Sequence, residues 1–355
     1  MISAQHSKER NLSLDILRVI AIFLVVWQHS NEFYYISPTN NIVKDAAPVI
    51  GIINSYARVC IGLFVMISGY LLLPMKQTTG QFFRRRFTRV LFPWLFWCIV
   101  YAVYLTVRNH GGITEVLTDI AHIPVNFATE VGHLWYVYML LGLYLLVPII
   151  SPWLRSCSKH ELQFYLVLWG VTTLLPYLHL VWPQLWGETY WNPTPTLYYF
   201  TGFAGYLVLG YYIHRYGALS RWLSWLLVVV GYAVTAYIFC TYSPNAKDVA
   251  TAELPWNFCS LNVVMMTLGT FSLGARLHVN ADGWLQRLVV NASVNSYAIY
   301  LAHILVLGGM YYLVNPLSLS IPAKVACIAL STFGITWIAV VVLSKLPKAK
   351  WWLGV

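Results

Sequence analysis

The chain has 355 residues, of which 59% are hydrophobic and only 10% are charged. Ordinary soluble domains carry roughly 25% charged residues, so this composition excludes a soluble globular protein and predicts a surface that faces lipid. The net charge of +10 comes from basic residues dispersed among short loops, and it therefore gives no reason to expect a nucleic-acid partner.

Ten apolar runs follow one another along the chain, each close to the roughly 20 residues that a helix needs to cross a bilayer. We predict membrane spans at 14–34, 51–73, 90–107, 132–150, 162–181, 196–213, 222–242, 257–275, 291–313 and 323–344. The joints between them are too short for another domain, and nothing repeats at a fixed period. The predicted fold is an all-α, polytopic membrane protein whose single domain covers residues 1–355, with no appended soluble domain.

Lys and Arg are divided unequally between the two predicted sides of the membrane. With the N-terminus inside, only five of the 22 basic residues fall at outer ends, namely Lys44, Arg58, Arg108, Lys247 and Lys324. Cationic loops remain in the cytoplasm, so both termini are predicted to be cytoplasmic.

The first span carries ionisable residues, which are costly at bilayer depth and usually mark function. His29 follows Arg18 by eleven residues, or about three helical turns, so both side chains lie on nearly the same helix face. Glu32, at i+3 from His29, is placed to orient the imidazole. His29 is therefore a candidate general base, because imidazole titrates near neutrality. The alternative is a structural histidine bonded to a neighbouring helix.

An arginine cluster, GQFFRRRFTRV, precedes the third span and contains Arg84, Arg85, Arg86 and Arg89. Arg85 and Arg89 are spaced i,i+4, so two guanidinium groups are predicted to converge on one anion. Guanidinium groups beside aromatic rings suit a ligand with phosphates and a purine. The alternative is an anchor that contacts anionic lipid headgroups.

Three other sets of polar residues carry weaker signals. Arg58 lies near the outer end of the second span, and the small residues Ser68 and Gly69 near its inner end predict close helix packing. His133, Trp135 and Tyr136 open the fourth span, either as an aromatic belt or as contacts to a substrate. In the ninth span Ser296, Tyr300 and His303 form one polar stripe that we expect to face the bundle interior.

The sequence resembles the acyltransferase-3 family of membrane proteins, which O-acylate bacterial glycans. Arg18 and His29 fit the family's R-x10-H pattern, and Arg85, Arg86 and Arg89 fit its R-[KR]-x-x-R pattern. The stretches GLFVMISGYLL, GHLWYVYMLLGLYLLVPII and SYAIYLAHILV are also similar to family members, so the resemblance spans nearly the whole chain.

The resemblance implies an O-acyltransferase of the bacterial inner membrane, most specifically an O-acetyltransferase. Its donor would be cytoplasmic acetyl-CoA or another acyl-CoA, and its acceptor a hydroxyl of a cell-surface or lipid-linked glycan. His29 would be the catalytic histidine, supported by Arg18 and oriented by Glu32, and the arginine cluster would contact acyl-CoA. Membrane lipids and a second copy of the chain complete the expected partners.

The route of the acyl group stays open at the level of sequence. Tyr300 or Arg58 is the expected oxyanion donor in direct transfer, and Tyr136 or His303 the expected carrier in a two-step route through an acyl-enzyme. A transporter or flippase of a glycan or lipid-linked precursor is the alternative function, although no inverted repeat is visible. The six cysteines show no metal-ligand spacing, and no metal site is predicted.

Overall fold

The computed structural model describes residues 10–37, 39–125, 132–182, 197–277 and 283–355. Their regular structure is helical, apart from one isolated bridge between Ile36 and Ile42. This confirms the all-α prediction. The helices are α1 (Leu12–Tyr35), α2 (Ala47–Asn54), α3 (Val59–Leu72), α4 (Thr79–Arg108), α5 (Ile113–His122), α6 (Trp135–Ser156), α7 (Lys159–Thr172), α8 (Leu175–Val181), α9 (Ala204–Tyr216), α10 (Arg221–Tyr242), α11 (Val249–Ala252), α12 (Leu261–Ala275), α13 (Trp284–Val314), α14 (Ile321–Leu343) and α15 (Ala349–Trp352).

Nine stretches of the described residues are long and apolar enough to cross a bilayer. They coincide with nine of the ten predicted spans, so the chain is a multi-pass membrane protein. The exception is the span predicted at 196–213, where α9 has only 13 residues. At 1.5 Å per residue it is about 20 Å long, less than the ~30 Å of a hydrocarbon core.

Helix α9 nevertheless follows α3 through the bundle. Met66 of α3 lies against Gly210 of α9, and the ring of Tyr70 lies 4.4 Å from that of His214. Gly62 of α3 also lies against Tyr206 of α9, so the pairs 62–206, 66–210 and 70–214 follow one another in order and the two helices run in the same direction. This direction preserves the alternation predicted for the later spans.

Glycines allow α3 and α9 to cross with their backbones in contact. A Cβ atom on Gly69 would overlap the carbonyl oxygen of Leu207, and one on Gly210 would overlap that of Met66. The packing role predicted for Gly69 is therefore confirmed, since no larger residue fits this crossing.

Polar caps fix where the helices that carry the candidate residues begin. The Asn11 side chain accepts a hydrogen bond from the backbone N–H of Leu14 at the start of α1, and Thr78 caps α4 in the same way. Helix α1 then packs against α3, α13 and α14 at the centre of the bundle. Its polar face is thereby enclosed by other helices, which is the arrangement that ionisable residues need at this depth.

Candidate functional site

Three histidines from distant parts of the chain meet inside the bundle and form what we call the histidine cluster: His29, His133 and His303. Their ring centroids are 5.4 Å apart for His29 and His303, 5.1 Å for His133 and His303, and 6.3 Å for His29 and His133. His133 and His303 are buried, and the side chain of His29 is 13% exposed. The structure thus unites residues that the sequence presented as separate signals.

The hydrogen bonds around the cluster leave basic nitrogens available. Nδ1 of His29 lies 2.9 Å from Oε1 of Glu32, and Nδ1 of His303 lies 2.7 Å from the carbonyl oxygen of Tyr300. Both partners are acceptors, so in the neutral rings each Nδ1 carries the proton and each Nε2 keeps its lone pair. Glu32 therefore orients His29 in the way that the i+3 spacing predicted.

His133 is bonded differently from the other two histidines. Neither of its ring nitrogens has a hydrogen-bond partner of normal geometry among the described residues. A buried imidazole without partners is unfavourable, because its nitrogens have lost their bonds to water. His133 is thus buried in the bundle beside His29 and His303, and it does not lie in an aromatic belt at the membrane interface.

Tyr136 and Tyr300 lie between the histidine cluster and a large cavity. Both side chains are buried, and their ring centroids are 5.4 Å apart. The Tyr300 ring also lies 5.5 Å from that of His133, and its hydroxyl donates a hydrogen bond to the His133 carbonyl oxygen. The two tyrosines form the head of the cavity.

The cavity has a volume of about 990 Å³ and extends from this head to the inner end of the bundle, the end predicted to be cytoplasmic. At that end it is lined by the side chains of five basic residues: Arg10, Arg18, Lys76, Arg86 and Arg89. Asp15 is the only acidic residue among the described residues that line it. The cavity therefore favours a ligand with several negative charges, and its volume suits a cofactor-sized molecule.

Asp15 holds two of these arginines in place. Its carboxylate, 3% exposed, accepts hydrogen bonds from Arg10 at 2.5 and 2.9 Å and from Arg18 at 3.3 Å. The Ser293 hydroxyl of α13 donates to the same carboxylate at 2.5 Å and accepts from Arg18 at 3.0 Å. This network turns Arg18 towards the cavity, about three helical turns away from His29.

Only part of the arginine cluster of α4 reaches the cavity. Arg86 and Arg89, spaced i,i+3, line it, and the Arg86 guanidinium lies 5.9 Å from the ring centroid of Tyr144. Arg84 and Arg85 are exposed outside it, where Arg85 donates to the Gln77 side chain at 3.2 Å. The sequence predicted that Arg85 and Arg89 share one anion site. In the structure, Arg86 and Arg89 share the cavity and Arg85 does not.

Arg58 and Trp135 lie apart from the cavity lining. The Arg58 guanidinium sits 4.3 Å from the Trp256 ring centroid, with Nη2 4.0 Å from Oε1 of Glu253. The ring of Trp135 stacks on that of Phe258 at 5.8 Å. Neither side chain lines the cavity. Of the two expected oxyanion donors, Tyr300 lies at the head of the cavity and Arg58 does not.

Several lining residues were not candidates from the sequence. They come from three separate segments: Lys76 lies before α4, Ser293 and Tyr297 lie on α13, and Gly354 follows α15. Asp15, which also lines the cavity, is indicated in the sequence only by its i,i+3 spacing from Arg18.

Comparison with known proteins supports the resemblance seen in the motifs. A family model described as an acyltransferase domain matches residues 11–341. No curated protein and no solved structure matches the chain. The matched residues include the histidine cluster and all but one of the five basic residues around the cavity.

Proposed function

The chain belongs to the acyltransferase-3 family and is a membrane acyltransferase, and we propose that it moves an acyl group from acyl-CoA to a hydroxyl of a glycan. One observation carries this proposal: a single cavity leads from a cluster of basic side chains to the tyrosines that border three histidines. A phosphorylated donor and an acid–base centre are thereby connected inside one bundle.

The charge around the cavity fits the donor. Coenzyme A carries a diphosphate and a further phosphate, and arginine binds phosphate oxygens with two parallel hydrogen bonds. With the phosphates on Arg86 and Arg89 at the inner end, the pantetheine arm extends past Tyr144 towards Tyr136 and Tyr300. Donor binding from the cytoplasm follows from this direction.

The histidine cluster fits the transfer step. Nε2 of His29 takes the proton of the acceptor hydroxyl while the oxygen attacks the thioester carbonyl. A carbon–oxygen bond forms, the carbon–sulfur bond breaks, and the electron pair leaves with the sulfur. Tyr300, at the head of the cavity, is placed to stabilise the oxyanion by turning its hydroxyl from the His133 carbonyl towards the reacting carbonyl.

Acetyl is the acyl group that we propose, and the bacterial inner membrane is the proposed location. The stretches GLFVMISGYLL and SYAIYLAHILV are similar to family members, and O-acetylation is the activity that this resemblance implies. A surface or lipid-linked glycan on the outer side would then receive the acetyl group, at the opposite end of α1 from the donor phosphates.

A two-step route is the second candidate because Nε2 of His303 has no partner in the cluster. In that route the imidazole accepts the acyl group before the acceptor binds. Incubating purified protein with labelled acetyl-CoA alone separates the routes. A labelled acyl-enzyme favours two steps, and its absence in an active preparation favours direct transfer.

The test of the proposed function is release of free CoA thiol from acetyl-CoA by membrane vesicles of the host, which contain the native acceptor. We expect the wild type to release thiol and to label the extracted glycan fraction, and His29→Gln to lose both. Unchanged labelling with His29→Gln would overturn the assignment of His29. Glycan movement without any thiol release would identify a transporter instead.

A further inference from the structure

The proposed mechanism uses His29 as the general base but gives no role to His133. We propose that His133, assisted by His303, relays a proton from His29 to the sulfur of the departing CoA. This inference rests on the proposed acyl transfer and adds a second proton-transfer step to it.

The positions of the side chains define a path for the proton. Glu32 and His29 form the solvent-accessible end of this path. The Glu32 side chain is 43% exposed, whereas His133 and His303 are buried. His133 is in ring contact with both His29 and Tyr300, and Tyr300 lines the cavity. His133 therefore stands between the base and the head of the cavity where the thioester is expected.

The hydrogen bonds identify His133 as the residue that can pass a proton through its ring. His303 has its Nδ1 committed to a carbonyl oxygen, so only its Nε2 exchanges protons. Neither nitrogen of His133 has a hydrogen-bond partner of normal geometry among the described residues. An imidazole can accept a proton at one nitrogen and release it from the other. The nitrogens of His133 make no direct hydrogen bond to the other two histidines, so the proposed relay passes through bridging water.

The chemistry requires such a path because acceptor and donor approach from opposite sides. Attack by the hydroxyl places a proton on His29 and leaves a thiolate at the head of the cavity. Separated opposite charges are costly at bilayer depth. Moving the proton from His29 through His133 to the sulfur yields neutral thiol and neutral imidazole, so the ester, the thiol and the enzyme all end without net charge.

A structural role would leave a different signature. A histidine that only fills space would affect every donor equally, whereas a relay matters most when the leaving sulfur is strongly basic. Donors with a more acidic thiol need less protonation as they leave. The dependence on the leaving group therefore distinguishes the two roles.

The test uses full-length protein in vesicles that contain the native acceptor, with acetyl-CoA and S-phenyl thioacetate as donors. Because S-phenyl thioacetate lacks the phosphates that Arg86 and Arg89 would bind, kcat is measured for each donor at its own saturating concentration. With acetyl-CoA we expect His133→Gln to reduce kcat by about 10²-fold, with a donor KM close to wild type. With S-phenyl thioacetate the loss should shrink to less than about tenfold. His133→Phe, which keeps the ring, should behave like His133→Gln if proton transfer is the function.

A measurement on the wild type keeps the proposal independent of how the variants fold. Rates in mixtures of light and heavy water should curve with deuterium fraction, as expected for more than one proton in motion. A linear dependence in the wild type, or equal losses for both donors in His133→Gln, would overturn the relay. Failure of the underlying acyl transfer looks different, since the wild type would then release no CoA thiol at all.

Discussion

Oε1 of Glu32 lies 2.9 Å from Nδ1 of His29, one helical turn earlier on α1. The carboxylate favours the neutral tautomer in which Nδ1 carries the proton and Nε2 keeps its lone pair. In the proposed mechanism it also stabilises the imidazolium that forms when His29 takes a proton, so there Glu32 is a positioning residue that acts through His29.

Replacing Glu32 with Gln should reduce kcat by about 10- to 100-fold, a smaller loss than removing His29 itself. The donor KM should stay near the wild-type value, since Glu32 does not line the donor cavity. Glu115→Gln, an exposed carboxylate that bonds only locally on α5, is the matched control. Equal kcat values for the wild type and Glu32→Gln would contradict the proposed positioning of His29 by Glu32.

The arginines of α4 should divide into two classes when they are replaced one at a time. Arg86→Ala and Arg89→Ala each remove one positive charge from the cavity. Each should raise the KM for acetyl-CoA about tenfold or more, because a charge-assisted hydrogen bond contributes roughly 1.5 to 3 kcal/mol. Arg84→Ala and Arg85→Ala should change it less than about threefold, as expected of exposed charges. A larger effect at Arg85 than at Arg86 would place the donor on the other face of the helix.

Gly354 should influence donor binding because the segment after α15 forms part of the cavity wall. A Cβ atom there would lie 2.8 Å from the Tyr297 ring and 2.9 Å from the carbonyl oxygen of Arg89. We expect Gly354→Ala to raise the donor KM. Gly217→Ala is the control, because Gly217 has a similarly positive φ of 92° but open space around its Cβ position. An equal rise in the donor KM for both variants would contradict a specific role of the Gly354 segment in the cavity wall.

The crossing of α3 and α9 should tolerate no side chain at Gly69. Gly69→Ala forces two backbones apart, so we expect a loss of about 3 kcal/mol or more in stability and a lower thermal unfolding midpoint in detergent. Gly142→Ala, in a helix with nothing within 4 Å of the new methyl group, should leave the midpoint unchanged. Comparable midpoints for the two variants would contradict the close crossing.

Local patterns predicted much of this molecule. Nine of the ten predicted membrane spans followed from runs of apolar residues, and the contact between His29 and Glu32 followed from their i+3 spacing. For α4 the pattern was ambiguous, because Arg85 and Arg86 both lie within one turn of Arg89. Which arginine faces the cavity depends on the rotation of α4 against its neighbours, and sequence spacing does not fix that rotation.

Local sequence patterns did not predict the contacts between residues that are distant in the chain. Ser293 meets Asp15 across 278 positions of the chain, and His133 joins two histidines on helices that are distant in sequence. Arg58, one of the two expected oxyanion donors, lies beside Trp256 and Glu253, and its position in the sequence indicated neither contact. Such contacts depend on helix packing in three dimensions, which determines partners that sequence spacing cannot specify.

The most direct test of the account is the sidedness of transfer. Inverted vesicles, whose cytoplasmic face is outside, should move label from added acetyl-CoA to the glycan, and vesicles with His29→Gln should not. Right-side-out vesicles should be inactive with the same donor, because the arginine-lined end of the cavity is then enclosed. Equal labelling in the two orientations, or full labelling without His29, would contradict a cytoplasmic donor site that leads to a histidine centre.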